Sequence, residues 1–365
     1  MSIVNGTFAF RMLYVPQDLP SDALDRFAKN SAPALADVKD AVSGWVGGRH
    51  FLDLPITEEN ATCAGFTKLI LRKAERKVPA ARLKAECAIE EQAHMKVENK
   101  PFVDRKTRAE IRKAIVARLQ PTMEPTLTGV EFVYDGRSRL IYTTACSDSQ
   151  LDAFTANWMK TIGTDCPPLT AQTAAISRKQ VDVRNWGKTS FSPEVDDESM
   201  EFTPGEDFLT WLWFKTETGG GLFKDDVGEY AVQLEGPLLM ERQGGGTHET
   251  ALRKGLPTIS AEAKSALLAG KKLVRAKLII GRGDQVWSFG FDANSFVFRG
   301  VKLPEPKEIL DAASTFQNRV FNIGILRDFV LGLYDLFIDV RNDSAKWAET
   351  RTQIHEWATD RQGSK

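Results

Sequence analysis

Alternating apolar and polar residues mark most of the extended segments of this chain. Such a period of two is typical of strands that bury one face. The pattern predicts an early strand, a second strand before the basic helices described below, and a hairpin that turns at Asp135-Gly136. The C-terminal half repeats it, with one strand followed by a second hairpin. The predicted strands are 7–14, 66–72, 130–134, 140–144, 271–280, 285–291 and 296–301.

Other segments repeat their apolar residues every three or four positions, as helices do. In the helix predicted to begin at Asp148, the residues Leu151, Phe154, Trp158 and Ile162 share one face. Trp158 is therefore predicted to lie in the core. Further helices are predicted at 21–30, 208–214, 260–270, 307–318, 325–340 and 345–360.

Two more helices, at about 80–98 and 102–120, are predicted to form a basic pair that projects from the fold. Pro79 and Pro101 stand in the first turn, where prolines open helices, and Pro121 ends the second helix. That second helix carries an apolar stripe for packing and basic residues on other faces. The stripe consists of Ile111, Ile115 and Leu119, and the basic residues are Arg105, Lys106, Arg108, Arg112 and Lys113.

The charge of the chain is uneven along its length. The 365 residues carry a formal net charge of −1, and the sequence pI is about 6.5. The segment 68–118 nevertheless holds fifteen basic residues against seven acidic ones. Such clustering favours a polyanionic partner. For this segment taken alone, an ordinary solvated helix pair is the alternative.

A second basic segment, 241–282, has nine basic residues against three acidic ones. Its predicted strand places Lys271, Arg275 and Lys277 on one side, a spacing suited to the phosphates of a nucleic acid. The alternative is a salt-bridged sheet edge protected by lysines. With two such segments, DNA binding becomes the preferred interpretation. The predicted DNA-contacting residues are Arg105, Arg108, Arg112, Lys113, Arg242, Lys271, Lys272, Arg275 and Lys277.

Between the basic segments lies an acidic one, 194–235, with twelve acidic residues against two basic ones. Glu206, Asp207 and Glu217 could supply the Mg²⁺ ligands of a nuclease, but no spacing singles them out. The aromatic run 208–214 within this segment is either buried or part of an interface. An interaction scaffold that docks a partner on this run is therefore a third interpretation.

The sequence lacks the motifs of common catalytic sites. It has no GxSxG, HExxH or GxxxxGK[ST] pattern, and its four cysteines stand apart without a CxxC pair. The four histidines are scattered among different predicted elements. We therefore predict no catalytic residues, metal site or cofactor. Without a long apolar run or a signal-peptide pattern, a cytoplasmic location is expected.

The predicted elements together indicate an α+β fold, with antiparallel sheets, flanking helices and the projecting basic helical pair. The length of the chain favours two or three sub-domains. We predict a central α+β domain formed by 1–78 and 121–170 and a helical tip at 79–120. The remaining residues, 171–365, are predicted to form an α+β base domain with C-terminal helices.

The order of several short motifs resembles that of the bacterial recombination-associated RdgC proteins over nearly the full chain. These motifs include a Gly-Trp-Val turn, a Lys-Val-Pro entry into the basic helices and a Leu-Gln-Pro exit from them. Later come an Ala-Cys-Ser hairpin end, an Ala-Gly-Lys helix end and a C-terminal amphipathic helix. They stand at 44–46, 77–79, 119–121, 145–147, 269–271 and 325–338.

The resemblance implies an RdgC-like fold and a ring-shaped homodimer whose positively charged hole encircles duplex DNA without sequence preference. It also implies association with the nucleoid and modulation of RecA-dependent recombination by occupation of DNA. A Lys-Gln pair of the family corresponds to Arg242 and Gln243, which adds Gln243 to the expected DNA contacts. A family phenylalanine falls at Glu124, a departure at a contact with DNA or at ring closure. The family is also sometimes described as exonucleases, so a Mg²⁺-dependent exonuclease is the alternative function.

Overall fold

The structure is a computed structural model that describes residues 2–242 and 248–360. In that part of the chain it shows an α+β fold with ten α-helices, which confirms the predicted α+β class. Instead of several antiparallel sheets it has one large antiparallel sheet. The strands are β1 Phe8–Tyr14, β2 Val42–Gly47, β3 Thr62–Cys63, β4 Phe66–Arg76, β5 Pro125–Asp135, β6 Leu140–Thr143, β7 Leu222–Asp225, β8 Gly228–Arg242, β9 His248–Leu252, β10 Lys272–Arg282, β11 Gln285–Asp292 and β12 Val297–Lys302. The helices are α1 Ala23–Lys29, α2 Glu58–Ala61, α3 Ala80–Val97, α4 Arg105–Leu119, α5 Asp148–Ile162, α6 Ala171–Lys179, α7 Pro204–Thr218, α8 Ala261–Leu268, α9 Ala312–Arg341 and α10 Ser344–Thr359.

Strand β1 is shared between the two halves of the sheet. Its residues Phe8 and Phe10 pair with β12, whereas Arg11 to Tyr14 pair with β6. The strand order is β2-β4-β5-β6-β1-β12-β11-β10-β8-β7, with β3 beside β4 and β9 beside β8. The sheet thus runs across the predicted boundary between central and base domains, and the division into domains stays a prediction. We call the place where β1 changes partners the seam.

Helices α1 and α5 cover one face of the N-terminal half-sheet. An aromatic cluster fills the space beneath them, and Trp158 is fully buried there, as its helical spacing predicts. Trp45 makes edge contacts with Phe132 and Phe154. Its indole Nε1 donates a hydrogen bond to Thr161 Oγ1 at 2.8 Å, so α5 is attached to β2 by a polar as well as an apolar contact.

A second and larger core joins strands of both halves of the sheet to α6, α7, α9 and α10. The aromatic run of α7 lies in this core, on the side of β8 and β10. Every residue from 205 to 214 is buried. Phe208 packs on Tyr334 and Phe337 of α9, and Trp213 Nε1 donates to Thr258 O at 3.1 Å. The run is therefore core, and its interpretation as a docking surface for a partner is wrong.

Helix α9 is one continuous helix of 30 residues. The prediction of two shorter helices, 307–318 and 325–340, is therefore wrong. Asp311 caps the helix by accepting hydrogen bonds from Ala313 N at 2.9 Å and Ser314 N at 3.0 Å, which places the start after Pro306. Among the described residues, no helix combines the length and the apolar character needed to cross a bilayer.

Candidate nucleic-acid interface

Helices α3 and α4 form an antiparallel pair that extends from the ends of β4 and β5. The two strands are still paired at Arg76 and Pro125, directly before and after the helices. The helices pack on each other through a small apolar cluster that includes Leu83, Ile115 and Leu119 and is separate from the cores of the sheet. The apolar residues of this cluster thus join the two helices to each other, and most other side chains of the pair, including Ile89 and Val97, face solvent.

The first turn of α4 is held by Asp104. Its carboxylate accepts hydrogen bonds from Lys106 N at 2.9 Å, Thr107 N at 3.0 Å and Thr107 Oγ1 at 2.7 Å. These bonds lower the pKa of Asp104 to about 2, with the Thr107 hydroxyl the largest cause. A helix whose free amides are capped begins at a defined residue, so the basic side chains that follow have defined directions.

Four basic residues of α4 point outward. Arg105 and Arg112 are seven residues apart, as are Lys106 and Lys113, so each pair shares a face with a separation of about 10 Å along the axis. All four are exposed. Within the described chain, none of them takes part in an ion pair, which leaves their charges available to a polyanion.

The acidic residues of α3 point between the helices instead. Arg118 Nη2 lies 2.9 Å from Glu86 Oε2, and its Nη1 lies 3.5 Å from Glu90 Oε1. Arg108, a predicted DNA contact, has its Nε 3.3 Å from Glu91 Oε2, although 58% of its side chain stays exposed. The three carboxylates of α3 therefore neutralise the inner arginines, and none of the three pairs with an outer cation of α4.

Lys272 differs from what the sequence predicts. It is 1% exposed, its Nζ lies 2.6 Å from Asp207 Oδ1, and it also donates to Thr203 Oγ1 at 3.1 Å. The side chain is in the interior of the protein, where a DNA phosphate does not reach it. The prediction that Lys272 contacts DNA is therefore wrong, and its role is to neutralise a buried carboxylate on α7.

The other cations of β10 lie on the open face of the sheet, but carboxylates oppose them. Lys277 Nζ lies 2.8 Å from Glu235 Oε2 on β8, and Arg275 Nη2 lies 2.9 Å from Asp292 Oδ2 on β11. Lys271 donates a hydrogen bond to the Thr250 hydroxyl. The alternative prediction was a salt-bridged strand at the edge of the sheet. Its ion pairs are present, but β10 lies between β8 and β11 and is not an edge strand.

Arg242 is the last residue of β8 and pairs in register with His248 of β9. It is half-buried, at the end of the β8–β9 ladder. Gln243 lies outside the described residues. The structure therefore places Arg242 in the C-terminal half of the sheet, whereas α4 extends from the N-terminal half. The predicted Arg-Gln pair stays a prediction.

The acidic residues considered for a nuclease are not assembled into a metal site. Glu206 and Asp207 are each 1% exposed. Burial raises the pKa of Glu217, against the opposing hydrogen bond with Thr258. Asn294 Nδ2 donates to Glu206 Oε1 at 2.6 Å. Across residues 2–242 and 248–360, no group of three acidic, histidine or cysteine side chains is placed to hold a metal ion.

Two arginines that the sequence analysis missed lie near Asp292. Arg299 on β12 has its Nη2 3.8 Å from Asp292 Oδ2, and Arg11 on β1 is 2% exposed. Each stands among apolar residues of its strand, a pattern that indicates a polar position but does not show which residues lie beside it in the fold. Only the pairing of β1 with β12 brings them together.

Comparison of the sequence with protein-family models and with curated proteins gives no match.

Proposed function

We propose that this protein binds duplex DNA without sequence preference, through the outward cations of α4. One observation carries the proposal: the carboxylates of α3 pair with Arg108 and Arg118 of α4. The outward cations Arg105, Lys106, Arg112 and Lys113 are exposed, and among residues 2–242 and 248–360 none of them forms an ion pair. Phosphate neutralisation by such cations supplies sequence-independent affinity, because it releases counterions from the DNA. Nothing in this arrangement requires contacts to base edges.

The order of motifs along the chain supports a more specific proposal, that the protein is an RdgC-like DNA-binding protein. On this proposal two copies form a ring around the duplex, associate with the nucleoid and limit access of a RecA-type recombinase to DNA. The basic helical pair that extends from β4 and β5 supports this proposal, because a ring around a duplex needs cations that face phosphates.

The test compares two charge-matched double variants. In Arg105→Gln/Arg112→Gln, binding to a random-sequence duplex, measured by fluorescence anisotropy, should weaken, and the log–log salt slope should become shallower by roughly two. The control, Arg178→Gln/Lys179→Gln, removes the same charge from α6, where both residues pair with aspartates of α9. It should bind like the wild type.

Two outcomes would count against the proposal. Equal losses in both double variants would mean that net charge, and not α4, determines binding. A loss confined to particular sequences would indicate base readout. Incubation of the same duplex with Mg²⁺ tests the exonuclease alternative directly, because DNA shortening would favour it.

A further inference from the structure

Three arginines from three strands surround one carboxylate at the seam of the sheet. Arg275 of β10 and Arg299 of β12 lie 2.9 and 3.8 Å from Asp292 Oδ2. Arg11 of β1 is linked to the same group through Ser295: its Nη2 donates to Ser295 O at 3.3 Å, and Ser295 Oγ donates to Asp292 Oδ1 at 3.0 Å. We call Arg11, Arg275, Arg299 and Asp292 the seam cluster.

The seam cluster has more positive than negative charge. Asp148 also acts electrostatically on Arg11, so two carboxylates face three guanidinium groups. The Lys277–Glu235 pair, on the same face of the sheet, is balanced one to one. The seam is therefore where the C-terminal half-sheet retains an excess of positive charge.

The cluster also has more hydrogen-bond donors than acceptors. Arg11 is 2% exposed, and its buried Nε and Nη1 have no hydrogen-bond partner. The Nε atoms of Arg275 and Arg299 are likewise buried and unpartnered. Buried donors without acceptors are rare because leaving them unpaired is unfavourable. Four guanidinium nitrogens of the cluster are thus without an acceptor among residues 2–242 and 248–360.

We propose that the seam cluster binds the oxygens of one phosphate group. Guanidinium groups suit this ligand because their planar donors match phosphate oxygens in pairs. Arg275 and Arg299, with side chains 39% and 41% exposed, would contact the phosphate, and Arg11 would supply positive potential from beneath. The phosphate could be part of a DNA backbone, which rests on the proposed function, or a free ion.

A phosphate in this position would act on the joint between the two half-sheets. Arg11 belongs to the strand that changes partners, whereas Arg275 and Arg299 belong to the C-terminal half. A phosphate held by Arg275 of β10 and Arg299 of β12, and attracted by the charge of Arg11 of β1, would favour the arrangement in which the three strands lie together. Bound phosphate should therefore also stabilise the folded protein.

Isothermal titration of the full chain with inorganic phosphate, in chloride buffer of matched ionic strength, tests the site. The wild type should show one saturable site, and Arg299→Gln should weaken it by at least about tenfold, the effect of losing one charge-assisted contact. Lys302→Gln removes a charge from the same strand outside the cluster and should bind like the wild type. Arg275→Gln replaces Arg299→Gln if that variant does not fold, as judged by circular dichroism.

Two results would overturn the proposal: no saturable phosphate binding by the wild type, or equal binding by Arg299→Gln. The salt dependence of duplex binding then identifies the source of the phosphate. A slope shallower by about one in Arg299→Gln than in Lys302→Gln supports a DNA phosphate, and an unchanged slope with lost phosphate binding supports a free ion. Failure of the protein to bind any DNA would refute the proposed function but leave the phosphate titration unaffected.

Discussion

The ionisation of Glu206 should be visible in the stability of the protein. This residue lies in the first turn of α7 and is 1% exposed. Burial raises the pKa of its carboxyl from 4.5 to about 7, against the opposing effects of the hydrogen bond from Asn294 and the nearby Lys272. Between these two pH values the folded protein holds a proton on Glu206 that the unfolded chain has released.

The difference between the folded and the unfolded pKa of Glu206 determines the sign and the size of the pH effect on stability. Because the folded pKa lies above the unfolded one, the stability from protonated Glu206 is fully present below pH 4.5 and is lost as the pH rises through about 7. The interval corresponds to about 3 kcal/mol. Glu206→Gln carries a neutral amide at every pH. The free energy of unfolding of Glu206→Gln minus that of the wild type should therefore increase by about 3 kcal/mol as the pH rises from 4.5 to 8.

Urea denaturation of both proteins at pH 5, 6, 7 and 8 measures this gain. Other titrating groups cancel in the difference, because the two proteins share them. Glu201→Gln, at an exposed position just before α7, is the matched control and should show a constant difference. A constant difference for Glu206→Gln as well would refute the reasoning, since it would mean that burial does not keep Glu206 protonated.

Two further predictions concern single side chains. Lys272→Met should lower the free energy of unfolding by about 3–5 kcal/mol in urea denaturation, because Asp207 is left buried without its cation. The double variant Lys272→Met/Asp207→Leu should recover most of this loss. No recovery would contradict the pairing of Lys272 with Asp207. Asp104→Ala should speed hydrogen exchange at the amides of Lys106 and Thr107, which lose their acceptor. Exchange in α5 should not change, and unchanged exchange at both α4 amides would argue against the cap.

The helical pair could be predicted from sequence because its signals are local. The prediction of 80–98 and 102–120 agrees with α3 and α4 to within three residues at each end. Pro79 and Pro101 restrict the backbone directly before the helices. The later start of α4 follows from Asp104, whose capping side chain is a better boundary signal than the proline before it.

The sequence contains a signal for the burial of Lys272. The alternation that places Val274 and Ala276 toward the core also places Lys272 there, two residues earlier on the same strand. What the sequence did not contain was its partner. Asp207 lies on α7, 65 residues away, and only the packing of that helix on β10 makes the pair.

The ion pairs of the sheet could not be predicted for a similar reason. Glu235 and Asp292 oppose Lys277 and Arg275 because of the register between β8, β10 and β11. A shift by one residue would turn these side chains to the other face. Local spacing predicted the row of cations correctly, but whether carboxylates neutralise it depends on long-range pairing.

The position of β1 also bears on how the protein is synthesised. Its pairing with β6 needs only residues up to Thr143, so the N-terminal half-sheet can form early on the ribosome. Part of the other edge of β1 is covered at Leu13 by an antiparallel bridge to Pro168. The part at Phe8 and Phe10 waits for β12, which begins at Val297. An unpaired strand edge is a template for other chains. The nascent protein thus carries an aggregation-prone edge at Phe8–Phe10 until β12, Val297–Lys302, has emerged and pairs with it.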